Sequence, residues 1–508
     1  MSEAPRTIAV VGAGLMGRGI AQIAAQAGCD VALFDVKPGA AAEGKRAIGA
    51  TLAGLAAKRK LTEDDAVRAT ARIALVDKLS ELSHVDLVIE AIVERLDAKQ
   101  ALFAALEAIV GKQCILATNT SSLSVTAIAA ACANPERVAG LHFFSPVPVM
   151  KLVEVIGGLL TAPEVVERLL AFGAALGHTP VRARDTPGFI VNHAGRGYGT
   201  EALRILGEGI ADVATIDRVL TDGAGFRMGP FALFDLTGLD VSQPVMESIY
   251  HQYYEEPRFR PSPLGAQRLA AGVLGRKSGR GFYDYDSGPP PAAAPVTAPP
   301  PAGASAARRI WVSARDAAAR QRVVALVAQL GAEVDSSPHP AADTACLVLP
   351  CGCDATTAAL DEGLDPARTV ALDVLPDLAK HRTLMTTPIT SPRVRDAVHA
   401  LFAADGGSVA TIHDSPGFIV QRVLAHIVNI ACDIAQQRIA APVDIDRAVS
   451  IGLAYPMGPL AWGDALAPAR VLTILQELAR AYGDPRYRPS PWLSRRARLG
   501  VSLLTAEA

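Results

Sequence analysis

Nowhere in its 508 residues does the chain run for about 18 uncharged apolar residues, the length that reads as a bilayer-spanning helix. No membrane-spanning helix is expected on that ground. The N-terminal stretch MSEAPRTIAVVGAG enters a strand and a Gly-rich turn at once and has no apolar core of a secretory signal, so a cytoplasmic protein is expected. Excess charge is lacking too: 49 Lys and Arg against 51 Asp and Glu leave a formal net charge of -2. A nucleic-acid binder would carry a basic excess on one face. Cysteine is sparse. Seven are scattered at 29, 114, 132, 346, 351, 353 and 432, and the close pair Cys351 and Cys353 has neither redox spacing nor further zinc ligands. They are read as reduced, and no metal site is expected.

What is present begins with RTIAVVGAGLMGRGIAQIAAQAGCDVALFDV. This is a strand, a Gly-rich turn, an amphipathic helix and a second strand, one βαβ unit. Gly12, Gly14 and Gly17 occupy the three positions of Gly-x-Gly-x-x-Gly, which serve a tight turn, close backbone approach to a pyrophosphate and helix packing. Asp35 closes the second strand 18 residues after Gly17. An acidic side chain there binds a ribose 2'-hydroxyl and repels a 2'-phosphate, so the expected cofactor is NAD rather than NADP.

Further strands are read in RIALV, VDLVIEAI, CILATNTSS and RVAGLHFF, giving a doubly wound sheet, with Lys37 to Lys60 as a helical pair. In such sheets the ligand crevice lies at the carboxyl ends of the strands. The NTSS stretch and the end of LHFF fall there. His142 stands in that second stretch, and Glu154 follows near the end of the next apolar run. A lone histidine in an apolar run is more often a satisfied core residue; its place at the crevice makes it a candidate base.

After Asp185 strand alternation gives way to helices broken by Gly and Pro. Gly288 to Ala307 is a Pro/Ala linker. Beyond it the helical domain recurs: DTPGFIV at Asp185 returns as DSPGFIV at Asp414, and MGP at Met228 returns at Met457. The expected fold is an α/β Rossmann-type NAD-binding domain (1–184) and an all-α domain (185–287), then the linker (288–307), a degenerate α/β unit without the glycine fingerprint (308–411) and a repeated all-α domain (412–508). No second NAD is expected.

The motifs VVGAGLMGRGIA, VIEAIVE, NTSSL, HFFSPVPVMKLVEV, DTPGFIVN and MGP resemble those of the (3S)-3-hydroxyacyl-CoA dehydrogenase family over the first 285 positions. The two-halved arrangement resembles a bacterial subgroup of phenylacetate breakdown, whose substrate would be 3-hydroxyadipyl-CoA. A short-chain 3-hydroxybutyryl-CoA dehydrogenase is the alternative substrate reading. A catalytically silent NAD-binding or structural protein on the same fold is the alternative of another class.

The resemblance implies a catalytic set of Ser121, His142, Glu154 and Asn192. It also implies Glu94, Lys99, Ser121, Ser145 and Lys277 near NAD, and Thr51 and Lys58 near an acyl-CoA substrate. Judged by themselves, Ser121 is a turn serine, Asn192 a helix-start cap and Lys58 a solvated helix lysine. Some relatives carry asparagine where this chain has Ser145. The second copy has Gln421 in place of Asn192, so one active site per chain is expected, with the two helical domains packing on each other inside the chain and a homo-oligomer left open. One self-comparison stands out: GFRMGP in the first copy is AYPMGP in the second. Arg227 is a solvated arginine or a partner for the free carboxylate of a dicarboxylic acyl chain, for which a guanidinium is well shaped.

Overall fold

The structure, a computed structural model, describes residues 4–286 and 305–507; most of the expected linker, 288–304, lies outside the described residues. Two sheets carry the chain. The first holds β1 (Thr7–Val11), β2 (Asp30–Phe34), β3 (Ile73–Leu75), β4 (Leu87–Glu90), β5 (Ile115–Thr118), β6 (Val138–Phe143), β7 (Leu152–Gly157) and β8 (Thr179–Arg184). Their spatial order is β3-β2-β1-β4-β5-β6-β7-β8. Only β6 and β7 pair antiparallel. The strands from β4 to β6 are buried along their length, as expected of a sheet covered on both faces.

The second sheet holds β9 (Arg309–Val312), β10 (Glu333–Asp335), β11 (Ala345–Val348), β12 (Thr369–Leu372), β13 (His381–Thr386) and β14 (Ser408–Ile412). Its order, β10-β9-β11-β12-β13-β14, repeats the first sheet with fewer strands, and again one interior pair, β12 with β13, is antiparallel.

The sequence reading is corrected at two points. Lys37 to Lys60 holds one helix, Ala40–Ala57, because its interior glycines are tolerated. The break comes at Arg59, which adopts a left-handed φ of 55°. A separate helix, Glu63–Ala71, then starts from Thr62, whose hydroxyl accepts from Asp65 N at 3.1 Å. Strands β8, β10, β13 and β14 are absent from the sequence reading: β8 and β13 carry arginines, β10 is very short, and β8, β10 and β14 lie at sheet edges, where apolar alternation is weakest.

The chain divides into two compact units, the described part of Met1–His193 with Gln437–Leu453, and Ala194–Gln436 with Ala454–Glu507. Each contains one sheet and one borrowed segment. In the first unit the edge strand β8 is covered by a stretch from the second helical copy: Arg184 N donates to Ile439 O at 2.9 Å, and the helix Pro442–Gly452 packs on β7 and β8. In the second unit His413 N, following β14, donates to Ile210 O of the first helical copy at 3.0 Å. Edge strands left open invite foreign pairing, and here each half caps the other's edge.

The two helical copies pack on each other in the second unit. The helix Val420–Gln436 is buried almost all round and crosses Arg196–Gly207 at Gly197, where a Cβ would come within 3.1 Å of Ile427 Cα. Beside this crossing the fully buried Glu201 is held by Arg422 at 2.8 Å, Arg486 at 2.9 Å and the Tyr487 hydroxyl at 2.7 Å. Burial works against its charge, but the guanidinium groups of Arg422 and Arg486 outweigh it and hold the carboxyl far below the usual carboxylate range. Among the described residues no helix is long and apolar enough to cross a membrane.

Candidate active site

The turn between β1 and the helix Leu15–Gln26 assigns each glycine a different reason. Gly12 has φ +109°, and a Cβ on it would meet Ala91 O at 2.4 Å. A Cβ on Gly17 would meet Gly12 O at 1.7 Å, so the helix rests directly on the turn. At Gly14 nothing lies within 4 Å of where a Cβ would be, leaving the backbone open to a ligand. Asp35 closes the arrangement: its carboxylate accepts from Ala13 N at 2.7 Å and Lys37 N at 2.9 Å. Val11, Gly12, Gly14, Phe34, Asp35 and Leu102 line part of a cavity of about 500 Å³. A dinucleotide fits this donor set, with apolar walls for a base, a carboxylate for a ribose and an open helix start for phosphates.

A second network, centred on glutamates, shapes the NTSS loop after β5. The fully buried Glu90 accepts from Ile92 N at 2.7 Å, the Thr118 hydroxyl at 2.7 Å and Lys99 Nζ at 2.5 Å. Lys99, expected near the cofactor, lies one layer beneath, 1 % exposed, and bridges Glu90 to Glu94 at 3.2 Å. Glu94 in turn accepts from the Thr120 hydroxyl at 2.6 Å, Ser121 N at 2.8 Å and Ser122 N at 3.1 Å. Partial burial works to raise its pKa, but the Thr120 hydroxyl, the Lys99 ammonium and the Ser121 N–H outweigh it and hold the carboxyl below its usual range. Glu94 therefore organises the loop that presents Ser121. Sequence reasoning did not single out Glu90 or Thr120; a charged residue inside the apolar run VIEAI was the available signal for Glu90.

His142 and Glu154 face each other in register across β6 and β7. His142 is 5 % exposed and Glu154 0 %. Their Nδ1 and Oε2 atoms are 2.7 Å apart. An ionised carboxylate only accepts, so Nδ1 carries the proton and Nε2 is the nitrogen left for a substrate. The other oxygen, Oε1, accepts from Ile190 N at 3.0 Å and Val191 N at 2.9 Å. Those two N–H groups are aimed by a turn with left-handed backbone at Gly188 (φ 78°) and Phe189 (φ 47°), strain of the kind that clusters at functional sites. The same turn presents Asn192, whose Nδ2 donates to Ser121 O at 3.4 Å. Phe144 and Phe189 flank the imidazole with ring centroids at 4.4 and 5.9 Å.

Family models match this architecture directly. The model for the 3-hydroxyacyl-CoA dehydrogenase NAD binding domain matches residues 7–186. The model for the C-terminal domain of the same enzymes matches 188–285 and again 417–502. The chain belongs to the 3-hydroxyacyl-CoA dehydrogenase family. It is accordingly an NAD-dependent oxidoreductase acting on 3-hydroxyacyl-CoA.

This dehydrogenase is 40 % identical over 97 % of its length to the 3-hydroxyadipyl-CoA dehydrogenase of Escherichia coli, of which 98 % is covered. A crystal structure described as a 3-hydroxybutyryl-CoA dehydrogenase from E. coli shares 38 % identity and a TM-score of 0.84, covering 98 % of this chain and 99 % of that one. A probable 3-hydroxybutyryl-CoA dehydrogenase of Bacillus subtilis is 45 % identical over 281 residues, 55 % of this chain and 98 % of that protein. The full-length relatives thus bear two different substrate names.

The remaining expected residues are more dispersed. Ser145 is exposed in the β6–β7 connection. Thr51 is exposed on Ala40–Ala57, its hydroxyl donating to Ala47 O at 2.9 Å, and Lys58 is exposed at the end of that helix. Lys277 and Arg227 belong to the second unit. Lys277 is held by Asp240 at 2.5 Å. Arg227 is exposed just before the helix Pro230–Thr237, and among the described residues its side chain has no ion-pair partner.

Proposed function

We propose that the dehydrogenase oxidises (3S)-3-hydroxyadipyl-CoA to 3-oxoadipyl-CoA, with His142 as the base. The observation that carries the catalytic reading is the buried His142–Glu154 contact of 2.7 Å. His142 Nε2 takes the proton of the substrate 3-hydroxyl. Glu154 fixes the tautomer and balances the imidazolium that results. Bound NAD supplies the acceptor for the hydride leaving carbon 3. Ser121 and Asn192 place hydrogen-bonding groups about the reacting oxygen. Glu94 and Lys99 hold Ser121 in place rather than touching substrate, Ser145 and Lys277 serve the cofactor, and Thr51 and Lys58 serve the CoA moiety. A silent NAD-binding protein would have no use for this pair, and NADH formation from a 3-hydroxyacyl-CoA separates the two readings. The protein is assigned to the cytoplasm, in keeping with its few, scattered cysteines.

The adipyl chain rests on the full-length relative of that name and on Arg227, whose guanidinium suits a terminal carboxylate. The test compares kcat/KM for 3-hydroxyadipyl-CoA and 3-hydroxyhexanoyl-CoA. Arg227→Met should cost about 1.5 to 3 kcal/mol on the first and little on the second, the range for a charged hydrogen bond. Equal losses on both would leave Arg227 to the fold. A preference for 3-hydroxybutyryl-CoA in the unaltered protein would favour the short-chain reading, which the name of the solved E. coli structure supports.

A further inference from the structure

Within the first compact unit, the last residue of the borrowed helix Pro442–Gly452 is Gly452. A Cβ on it would lie 2.9 Å from Val191 Cγ2, 3.1 Å from Val191 Cγ1 and 2.9 Å from Leu152 Cδ2. Contacts this close admit no side chain without a shift. Leu152 can yield by rotating its terminal methyls, but the methyls of Val191 sit one bond from Cβ and one rotamer dominates for a helical valine. Val191 therefore yields by moving its backbone. Its N–H donates to Glu154 at 2.9 Å, and the next residue is Asn192.

The duplication supplies an internal control. Gly223 is the counterpart of Gly452 by the constant offset of the repeat. A Cβ there would meet Val420 at 3.5 Å and His381 at 3.6 Å, ordinary van der Waals contact. Of the two counterparts, only the glycine beside the His142–Glu154 pair has the tight seat.

We infer that Gly452 is a positioning residue for the reaction: through Val191 the second helical copy sets the turn that holds Glu154 and presents Asn192. The inference rests on the reading of His142 and Glu154 as the catalytic pair. It also gives the second copy a part in the chemistry of the first half without a catalytic group of its own.

The test uses the full-length chain. Gly452→Ala is expected to lower kcat at least tenfold while the KM for NAD stays within twofold, since the Gly-rich turn is untouched. Alanine favours a helix over glycine, so helix propensity does not account for a loss. Gly223→Ala is expected to leave kcat within twofold. Adding Val191→Ala to Gly452→Ala keeps the backbone N–H, removes the obstructing methyls and should recover most of kcat. If the single variant does not fold, the double variant is compared with Val191→Ala alone, and equal kcat values are expected. Normal turnover in Gly452→Ala, an equal loss in Gly223→Ala or no recovery in the double variant would overturn the inference. If His142→Ala abolishes turnover while Gly452→Ala does not, only the positioning role fails; if His142→Ala is itself active, the reading of the pair fails.

Discussion

The two halves fill the same pair of sheet positions with different chemistry. Glu154 pairs with Val181 of β8, and Thr383 pairs with Ala410 of β14, which is the counterpart of Val181. Thr383 thus stands where Glu154 stands, and Asp373, whose N–H donates to Thr383 O at 3.0 Å, stands where His142 stands. Gln421 replaces Asn192. Its longer amide donates to Asp373 Oδ1 at 2.9 Å and Pro350 O at 3.2 Å and accepts from Gly352 N at 2.8 Å. The first half pairs His142 with Glu154 and leaves Asn192 half-buried beside Ser121; the second turns Gln421 onto Asp373 and buries both. The left-handed turn persists in both, at Gly188–Phe189 and Gly417–Phe418. The turn is thus common to both copies of the fold, and the carboxylate is found beneath it only in the first, Thr383 standing in its place in the second.

The largest test of this contrast is His142→Ala. Kcat should fall by roughly a hundred- to ten-thousandfold, the worth of a positioned acid-base group, with NAD binding retained. Asp373→Ala should leave turnover within twofold. Substantial activity left in His142→Ala would remove His142 from the role of base, and a loss of turnover in Asp373→Ala would be needed before chemistry could be given to the second half.

Next comes a stability effect confined to the second half. Complete burial pushes the Asp373 carboxyl up to about 6, despite the Gln421 amide, and among the described residues its Oδ2 has no partner. The acid form is the one the fold favours. Asp373 therefore contributes stability below its unfolded value near 4 and withdraws it as pH rises through about 6. A tenfold difference in proton affinity between the folded and unfolded chains corresponds to about 1.4 kcal/mol, so the unaltered chain should lose about 2 kcal/mol between pH 4 and 7.5 from this group. Asp373→Asn should abolish that loss, read as thermal unfolding across the range; parallel curves for the two proteins would refute it.

Gln421→Asn sharpens the comparison by restoring the residue type of the first half. The shorter side chain cannot satisfy the same three groups, so stability should drop by about 1 to 3 kcal/mol, the cost of leaving buried polar groups unpaired. Kcat should not change. An unaltered melting temperature would show that the amide contacts are dispensable.

The smallest expected effect concerns the acidic residues that end β2 and β10. Asp35 is half-buried and borders the 500 Å³ cavity. Asp335 is fully buried and accepts from Ser337 N at 3.0 Å and Ala341 N at 3.2 Å. Asp35→Ser should reduce the preference for NAD over NADP about tenfold, roughly one hydrogen bond's worth of discrimination, and should weaken NAD somewhat by loosening Ala13. Asp335→Ser should leave cofactor choice unchanged. Calorimetric titration is expected to give one NAD per chain, and a stoichiometry of two would break the comparison.

Local sequence determined a good deal here. The glycines at 12, 14 and 17 and the acid at 35 follow from backbone sterics and charge within one βαβ unit, so a short window is enough to read them. The return of the PGFIV and MGP stretches made the duplication visible without any structure. His142 and Glu154 could be nominated because each stands as an exception within an apolar run. Their pairing was another matter. It depends on β6 and β7 running antiparallel in an otherwise parallel sheet, with a register that a one-residue slip would destroy. Neither strand alone carries that information. The glutamate network beneath Ser121 joins β4, β5 and the helix Leu96–Glu107, segments whose proximity arises only when the sheet forms. The seat of Gly452 against Val191 joins residues far apart along the chain. No periodicity or motif reports it, because a glycine's close contact is defined by what packs on it, and that is decided only in the tertiary structure.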